Sequence, residues 1–400
     1  MTPTEPRVTE PESGPETGSE SPDTGLWERA GLYDPAAPDA QERLALLEYL
    51  TRRGATIEQM VQAHRVNSLP GVAGDLVTQG ATTLVPVEEI ARRSGVELPR
   101  VRRALLAAGI PTSSDSTVSQ DLVGLMEAFE AGAELMGDDA ILAFTRVLGA
   151  SAMNIAEAAV ALFWAEFGPG SVSEGPDELA RAGLSEAATR AFLAVPDVMA
   201  HAVMEQFERA QRRSQAVRGW SHPSGGDVGE PGSPTETVAL GFVDLVGSTA
   251  WSQTLNLREQ NLALTRFESA AWSSAVLAEG RVIKMIGDEV FFYAPSVEAA
   301  CRIGTEVCRA AADDEMLPDA RGAVGVGPVT PREGDYYGPL VNLLARLVKV
   351  GAPGELVATE AAVAQLRGDE WSVRPLEPAT LPGIAEKVQA YIVEPLGSGA

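Results

Sequence analysis

Cysteine and histidine are nearly absent. The 400 residues hold two of the first and three of the second, too few for a zinc cluster or a disulfide framework. Cys301 and Cys308 lie seven apart in one apolar helical segment. That spacing puts both on one helix face about two turns apart, beyond disulfide reach, so they read as buried free thiols of a reducing compartment. Basic residues are scarce as well. Against 56 Asp and Glu stand 31 Lys and Arg, a formal net charge of −25, which argues against general nucleic-acid binding and against docking on anionic lipid. Neither a secretory leader nor an uninterrupted apolar run long enough to span a bilayer is evident. The sequence therefore predicts a soluble cytoplasmic protein without a membrane span, and its length predicts two domains plus tails.

Residues 1–26 are Pro, Glu, Ser, Thr and Gly with almost nothing apolar, a predicted disordered acidic tail. Residues 27–215 read as an all-α domain. The run from Asp39 to Arg53 places Leu44, Leu47 and Leu50 at helical spacing, and Thr56 with Gln59 is a capping-box start for the next helix. Residues 87–109 fit a helix-turn-helix with Arg100, Arg102 and Arg103 on its second helix. DNA contact and plain helix packing are both open there, and the acidic chain favours packing. Ala150 to Phe167 is apolar nearly all round, which predicts a buried helix or an oligomer face. Further helices are predicted from about Ser185 and from Val195 to about Gln215, followed by a Gly/Pro/Ser-rich linker over 216–234.

Residues 235–396 alternate strands and helices, an order that suits an α+β sheet. Within them, 238–247 reads as a buried strand carrying Asp244 at its end, and 281–294, RVIKMIGDEVFFYA, reads as a hairpin turning at Gly287-Asp288-Glu289. Asp244 and Asp288 are thus acids at the ends of apolar strands. They are either solvated turn acids or a pair that holds divalent cations, since Mg²⁺ favours one or two carboxylates plus substrate phosphate oxygens. The stretch 334–347, GDYYGPLVNLLARL, sets Asp335 in a turn and starts a helix after Pro339. Asn342 and Arg346 share one face of that helix, an uncharged donor and a fixed cation suited to an oxygen that gains negative charge.

FVDLVGST, KMIGDE and GDYYGPLVNLLARL, in this order and spacing, resemble the catalytic domain of class III adenylyl cyclases, from about Val238 to Val393. The stretch GLYDPAAPDAQERLALLEYLTRRGATIEQM is similar to the N-terminal regulatory module of some actinobacterial cyclases, the pH-responsive mycobacterial type among them. The resemblance implies a helical regulatory domain joined to a cyclase domain with a ferredoxin-like core, its helices packed on one face of the sheet, making 3′,5′-cyclic AMP and pyrophosphate from ATP. It implies two Mg²⁺ or Mn²⁺ ions per site on Asp244 and Asp288, with adenine read by Lys284 and Asp335. Asn342 would orient the ribose, and Arg346 would stabilise the transition state. Backbone groups of Phe242, Val243, Leu245, Val246, Gly247 and Ser248 would lie near metals and phosphates. Sites shared between the two chains of a homodimer are implied as well.

Two positions depart from the family pattern: Gly325-Val326-Gly327 stands where His-Thr-Gly is common, and Leu343-Leu344 replaces a small pair. A catalytically weak cyclase-like sensor or a helix-turn-helix regulator is the alternative reading, although both metal aspartates are present. A diguanylate cyclase would need Gly-Gly before the acidic pair and Phe after it, where Ile286 and Val290 stand. For regulation, His201 with Glu205 at i+4 forms a candidate pH-sensitive pair, since histidine changes charge near neutral pH. His64 is a second candidate, and His222 in the linker a poorer one.

Overall fold

Residues 24–113, 116–167, 177–220 and 235–396 are described by the computed structural model of this chain. The predicted tail up to residue 23, most of the predicted linker and His222 lie outside them. Two compact units divide between Ala200 and His201.

The first unit is built from α1 (Thr24–Arg29), α2 (Ala40–Arg52), α3 (Ile57–Arg65), α4 (Val72–Ala81), α5 (Val87–Ser94), α6 (Leu98–Ala107), α7 (Leu122–Met136), α8 (Asp138–Phe167), α9 (Glu178–Phe192) and the start of α10 (Val195–Trp220). The predicted capping box forms: the Thr56 side chain accepts from Gln59 N–H, and the Gln59 side chain accepts from Thr56 N–H. Leu46, Leu47 and Leu50 of α2 pack with Trp27, Met60, Leu69, Val72 and Ala182 in one core. Val87, Ile90, Val101, Leu105, Met126 and Phe129 form a second.

Four features differ from the sequence reading. A short antiparallel ribbon, β1 (Leu84–Pro86) with β2 (Thr117–Ser119), brackets the helix-turn-helix-like pair, so the unit is not purely helical. The helix predicted from about Ser185 starts at Glu178, because Asp177 caps it by accepting from Ala180 N–H. The last helix runs on to Trp220, since no proline follows until Pro223. Of the two readings of the apolar helix α8, burial within its own chain does not hold, since Phe144, Leu148, Val160, Leu162 and Trp164 are exposed. By length and composition alone, its Asp138–Ala165 stretch is long and apolar enough to cross a membrane. Two of the three arginines on the second helix of the helix-turn-helix-like pair are engaged internally, and Arg103 is exposed. Arg100 binds Glu130 and Asp138, and Arg102 binds Glu88.

In the second unit, β3 (Glu236–Leu245) is followed by α11 (Ser248–Ser252), α12 (Leu257–Leu277), β4 (Arg281–Ile286), β5 (Glu289–Ala294), α13 (Val297–Ala312) and β6 (Ala320–Arg332). There follow β7 (Asp335–Tyr337), α14 (Pro339–Leu347), β8 (Leu356–Thr359), α15 (Glu360–Val363), β9 (Trp371–Pro375) and β10 (Ala390–Pro395). The sheet order is β4-β5-β3-β6-β8-β10-β9, with β7 paired to β6. The first four strands are mutually antiparallel and, with α12 and α13, trace β-α-β-β-α-β, the predicted ferredoxin-like core.

Strand periodicity splits the core in two. Ala239, Val243 and Leu245 of β3 face α12 and α13, meeting Phe267, Ala271, Cys301 and Val307. Val238, Leu240 and Phe242 face the other way, against Leu340, Leu344 and Leu347 of α14 and Leu381. Helices therefore cover both faces, not the single face the sequence reading expected. Cys301 and Cys308 are free and buried, and burial pushes each thiol up to about 12.

Candidate active site

One face of the sheet gathers the chemistry. On β3, Phe242 and Asp244 point to the α14 side by period 2, and register extends that face to the neighbouring strands. Asp244 stands opposite Glu289 on β5 and Arg321 on β6, and Phe242 stands opposite Phe291, itself opposite Lys284 on β4. The Phe242 and Phe291 rings stack at 4.4 Å, a rigid apolar floor beside the polar groups.

Asp244 is 5% exposed. Its Oδ2 accepts from Arg321 Nη2 at 3.2 Å, and Lys349 Nζ lies 3.8 Å from the same oxygen. Asp288 sits at the hairpin tip, where its carbonyl accepts from Leu245 N–H at 3.2 Å and so ties the tip to the end of β3. Glu289 is the third acid. Burial, then Asp244 and Asp288, push its carboxyl up to about 7, against the lowering pull of Lys349 and Arg321. No group of three His, Cys, Asp or Glu side chains able to hold a metal occurs among the described residues. Two carboxylates whose charge must be compensated still fit the partial donor set of Mg²⁺, which completes its shell with phosphate oxygens and water.

Lys284 and Asp335 meet. Nζ donates to Oδ2 at 2.5 Å, and Asp335 Oδ1 accepts from the Tyr336 N–H at 2.8 Å. Arg281 secures the same turn by donating to the Gly334 carbonyl. On α14, Asn342 is exposed, while Arg346 lies over Gly383, where an added Cβ would sit 3.4 Å from Nη2. Neither Asn342 nor Arg346 has a side-chain partner among the described residues. Both family departures meet at α14: a Cβ at Gly325 would lie 3.0 Å from Leu344 and 3.1 Å from Leu340. Glycine at 325 thus makes room for leucine at 344, and the two changes compensate each other.

Of the six backbone positions, Phe242 and Val243 are locked in the sheet ladder. The N–H of Leu245 is taken by Asp288, and that of Val246 donates to the Asp319 carbonyl at 2.8 Å. The N–H groups of Gly247 and Ser248 have no backbone acceptor among the described residues. Gly247 holds φ +69°, the left-handed turn that glycine favours. Glu289, Arg321, Lys349 and Gly383 were not singled out from sequence. Only the acidic doublet Asp288-Glu289 gave any local signal.

The histidine reading changes. Glu205 pairs with Arg209 at 2.9 Å, so the drawn pair with His201 is not formed, and His201 is exposed. His64 does have a partner: its Nδ1 lies 3.5 Å from Nη1 of Arg43, whose guanidinium holds Glu178 at 3.0 Å.

Glu289 makes stability depend on pH. Its folded pKa lies above the ordinary value, so between about 4.5 and 7 the folded chain keeps a proton that the unfolded chain releases. Stability from this group is full below that window and lost as pH rises through it. Allowing for solvent screening, the loss is on the order of 1–2 kcal/mol. In metal-free buffer, urea melts of Glu289→Gln at pH 5 and pH 8 should differ less than those of the parent by about that amount. A pH 5 to pH 8 difference equal to that of the parent would refute the coupling.

No family model matches the sequence. An adenylate cyclase of Glutamicibacter nicotianae is 30% identical over 292 residues, 70% of this chain and 71% of that protein. A pH-sensitive adenylate cyclase of Mycobacterium tuberculosis is 25% identical over 367 residues, 88% of each chain. An uncharacterised protein of the same species is 31% identical over 378 residues, 93% of this chain and 94% of that one. The crystal structure of the adenylyl cyclase CyaB from P. aeruginosa aligns at 21% identity over 40% of this chain and 95% of that one, with a TM-score of 0.36. With the three motifs in place and these relatives beside it, the chain belongs to the class III adenylyl cyclases and is an enzyme that makes cyclic AMP from ATP.

Proposed function

We propose that this cyclase works at sites shared by two copies of the chain. One copy supplies Asp244 and Asp288. The other supplies Lys284, Asp335, Asn342 and Arg346. The observation that carries this reading is the state of α14: Asn342 and Arg346 are fixed on a packed helix yet have no side-chain partner among the described residues of their own chain. The Lys284–Asp335 pair is built in advance of its ligand. Its ammonium would donate to an adenine ring nitrogen, and its carboxylate would accept from the 6-amino group.

Two divalent ions on Asp244 and Asp288 would neutralise the triphosphate and favour ionisation of the ribose 3′-hydroxyl. The chain's own groups do the rest. Asn342 orients the ribose, so that the 3′-oxygen faces the α-phosphorus as its bond forms and the bond to pyrophosphate breaks. Arg346, a cation that neutral pH cannot discharge, faces the charge that develops on the phosphoryl oxygens. Gly247 and Ser248 offer N–H groups to the phosphates.

Mixing tests the shared site. Asp244→Ala and Asn342→Ala should each be nearly inactive alone, whereas a mixed dimer places both defects in one site and leaves the other whole. Activity should return after subunit exchange to about a quarter of the parent level for random pairing. No return after confirmed exchange means that each chain holds a complete site.

Base selectivity follows from the paired donor and acceptor, because guanine reverses their pattern and leaves both groups unpaired. The ratio of kcat/KM for ATP over GTP should be roughly a hundredfold or more. A ratio near one would remove Lys284 and Asp335 from base reading.

The helical unit is the proposed regulator, restraining activity at neutral and alkaline pH. The contact between His64 and Arg43, with Glu178 behind it, ties α3 to α2 and α9 and is the proposed relay. In the full chain, His64→Ala should flatten the rise in activity on acidification, and His201→Ala should leave it intact. A His64→Ala profile identical to that of the parent would clear this residue.

A further inference from the structure

The single oxygen Oδ2 of Asp244 carries two cations. Arg321 donates to it through Nη2 at 3.2 Å and, through Nη1, to the Lys349 carbonyl at 3.2 Å. The Lys349 ammonium adds its charge at 3.8 Å. No donor reaches Oδ1 among the described residues. Arg321 Nε is buried without an acceptor, so the guanidinium is held in place by this carboxylate and one carbonyl, its fork only partly satisfied. A divalent ion that bound at Oδ2 would meet a guanidinium already in hydrogen-bond contact with that oxygen and an ammonium beside it.

Building on the shared-site reading, we propose that Arg321 is a stand-in cation. It neutralises Asp244 while no metal is bound, and it competes with an arriving cation for that carboxylate. Arginine cannot be deprotonated near neutral pH, so the competition persists at every working pH. The tie to the Lys349 carbonyl lets Arg321 let go of Asp244 while remaining anchored just beyond α14, the helix of Asn342 and Arg346. A bare divalent ion meets this opposition alone. An ion arriving with a triphosphate brings negative charge that can receive the displaced guanidinium. Metal and nucleotide should therefore enter together, and free metal should bind weakly.

The test titrates Mn²⁺ alone into the full chain, with free ion read from its aqueous EPR signal and no nucleotide present. Arg321→Met keeps an apolar stem and removes the charge, and it should bind Mn²⁺ about tenfold more tightly than the parent. Arg321→Lys keeps a cation and should return the affinity towards the parent value, which a purely structural role would not do. Arg321→Met that melts like the parent yet binds no more tightly overturns the proposal. If Arg321→Met does not fold, the exposed Lys349→Met reports the same competition. Its affinity should rise about two- to threefold, and no rise overturns the proposal. Asp244→Ala separates the two readings: it should lose Mn²⁺ binding, and parent-like binding would instead remove the metal assignment that both share.

Discussion

Among the described residues a single charged residue is buried, Asp244. An ionised carboxylate in such a place must be compensated or neutralised, and much of the second unit answers that demand. Arg321 is set opposite it by the β3–β6 register, and Lys349 reaches it from the segment after α14. Glu289, the next acid on the face, meets the same constraint from the other side and yields by holding its own proton into the neutral range. The metal ions of the proposed mechanism are a further form of the same compensation. Charge balance at one strand end thus links the resting arrangement, the order of ligand entry and the pH dependence of stability.

The sheet separates this chemistry from its support. The face towards α12 and α13 is apolar throughout and includes both cysteines. The opposite face carries the ionised groups at its edge and the leucines of α14 at its centre. Packing on that second face has been re-solved locally. Where relatives of this family commonly place a larger residue at 325 and a small one at 344, this chain has the reverse, and the space balances. The helix that presents Asn342 and Arg346 is seated through Leu340, Leu344 and Leu347, all buried against the sheet.

What the sequence made legible was local chemistry. Hairpin, helix start and carboxylate-bearing strand ends each lie within about ten residues, and all form where periodicity places them. The ferredoxin-like core followed from the resemblance. The counter-cations were not legible. Arg321 is 77 residues from Asp244, and only the register of two distant strands makes them neighbours. The early start of α9 was missed because the sequence just before Asp177 carries no periodicity. The pairing of Glu205 was missed because Arg209 competes with His201 at the same i±4 spacing, and a full cation wins. Burial of α8 could not be settled from its own residues either, since an apolar stripe records what a helix tolerates and leaves open what covers it.

The two thiols of α13 have a practical consequence. With burial pushing each thiol up to about 12, the reactive thiolate is scarce at neutral pH, and both side chains are buried between helix and sheet. Oxidants and alkylating agents therefore have no lever on the folded enzyme. Labelling at Cys301 and Cys308 can proceed only through molecules in which α13 has lifted away, so the rate of alkylation is a clock for opening of the catalytic core. It would need no added probe and no change to the site.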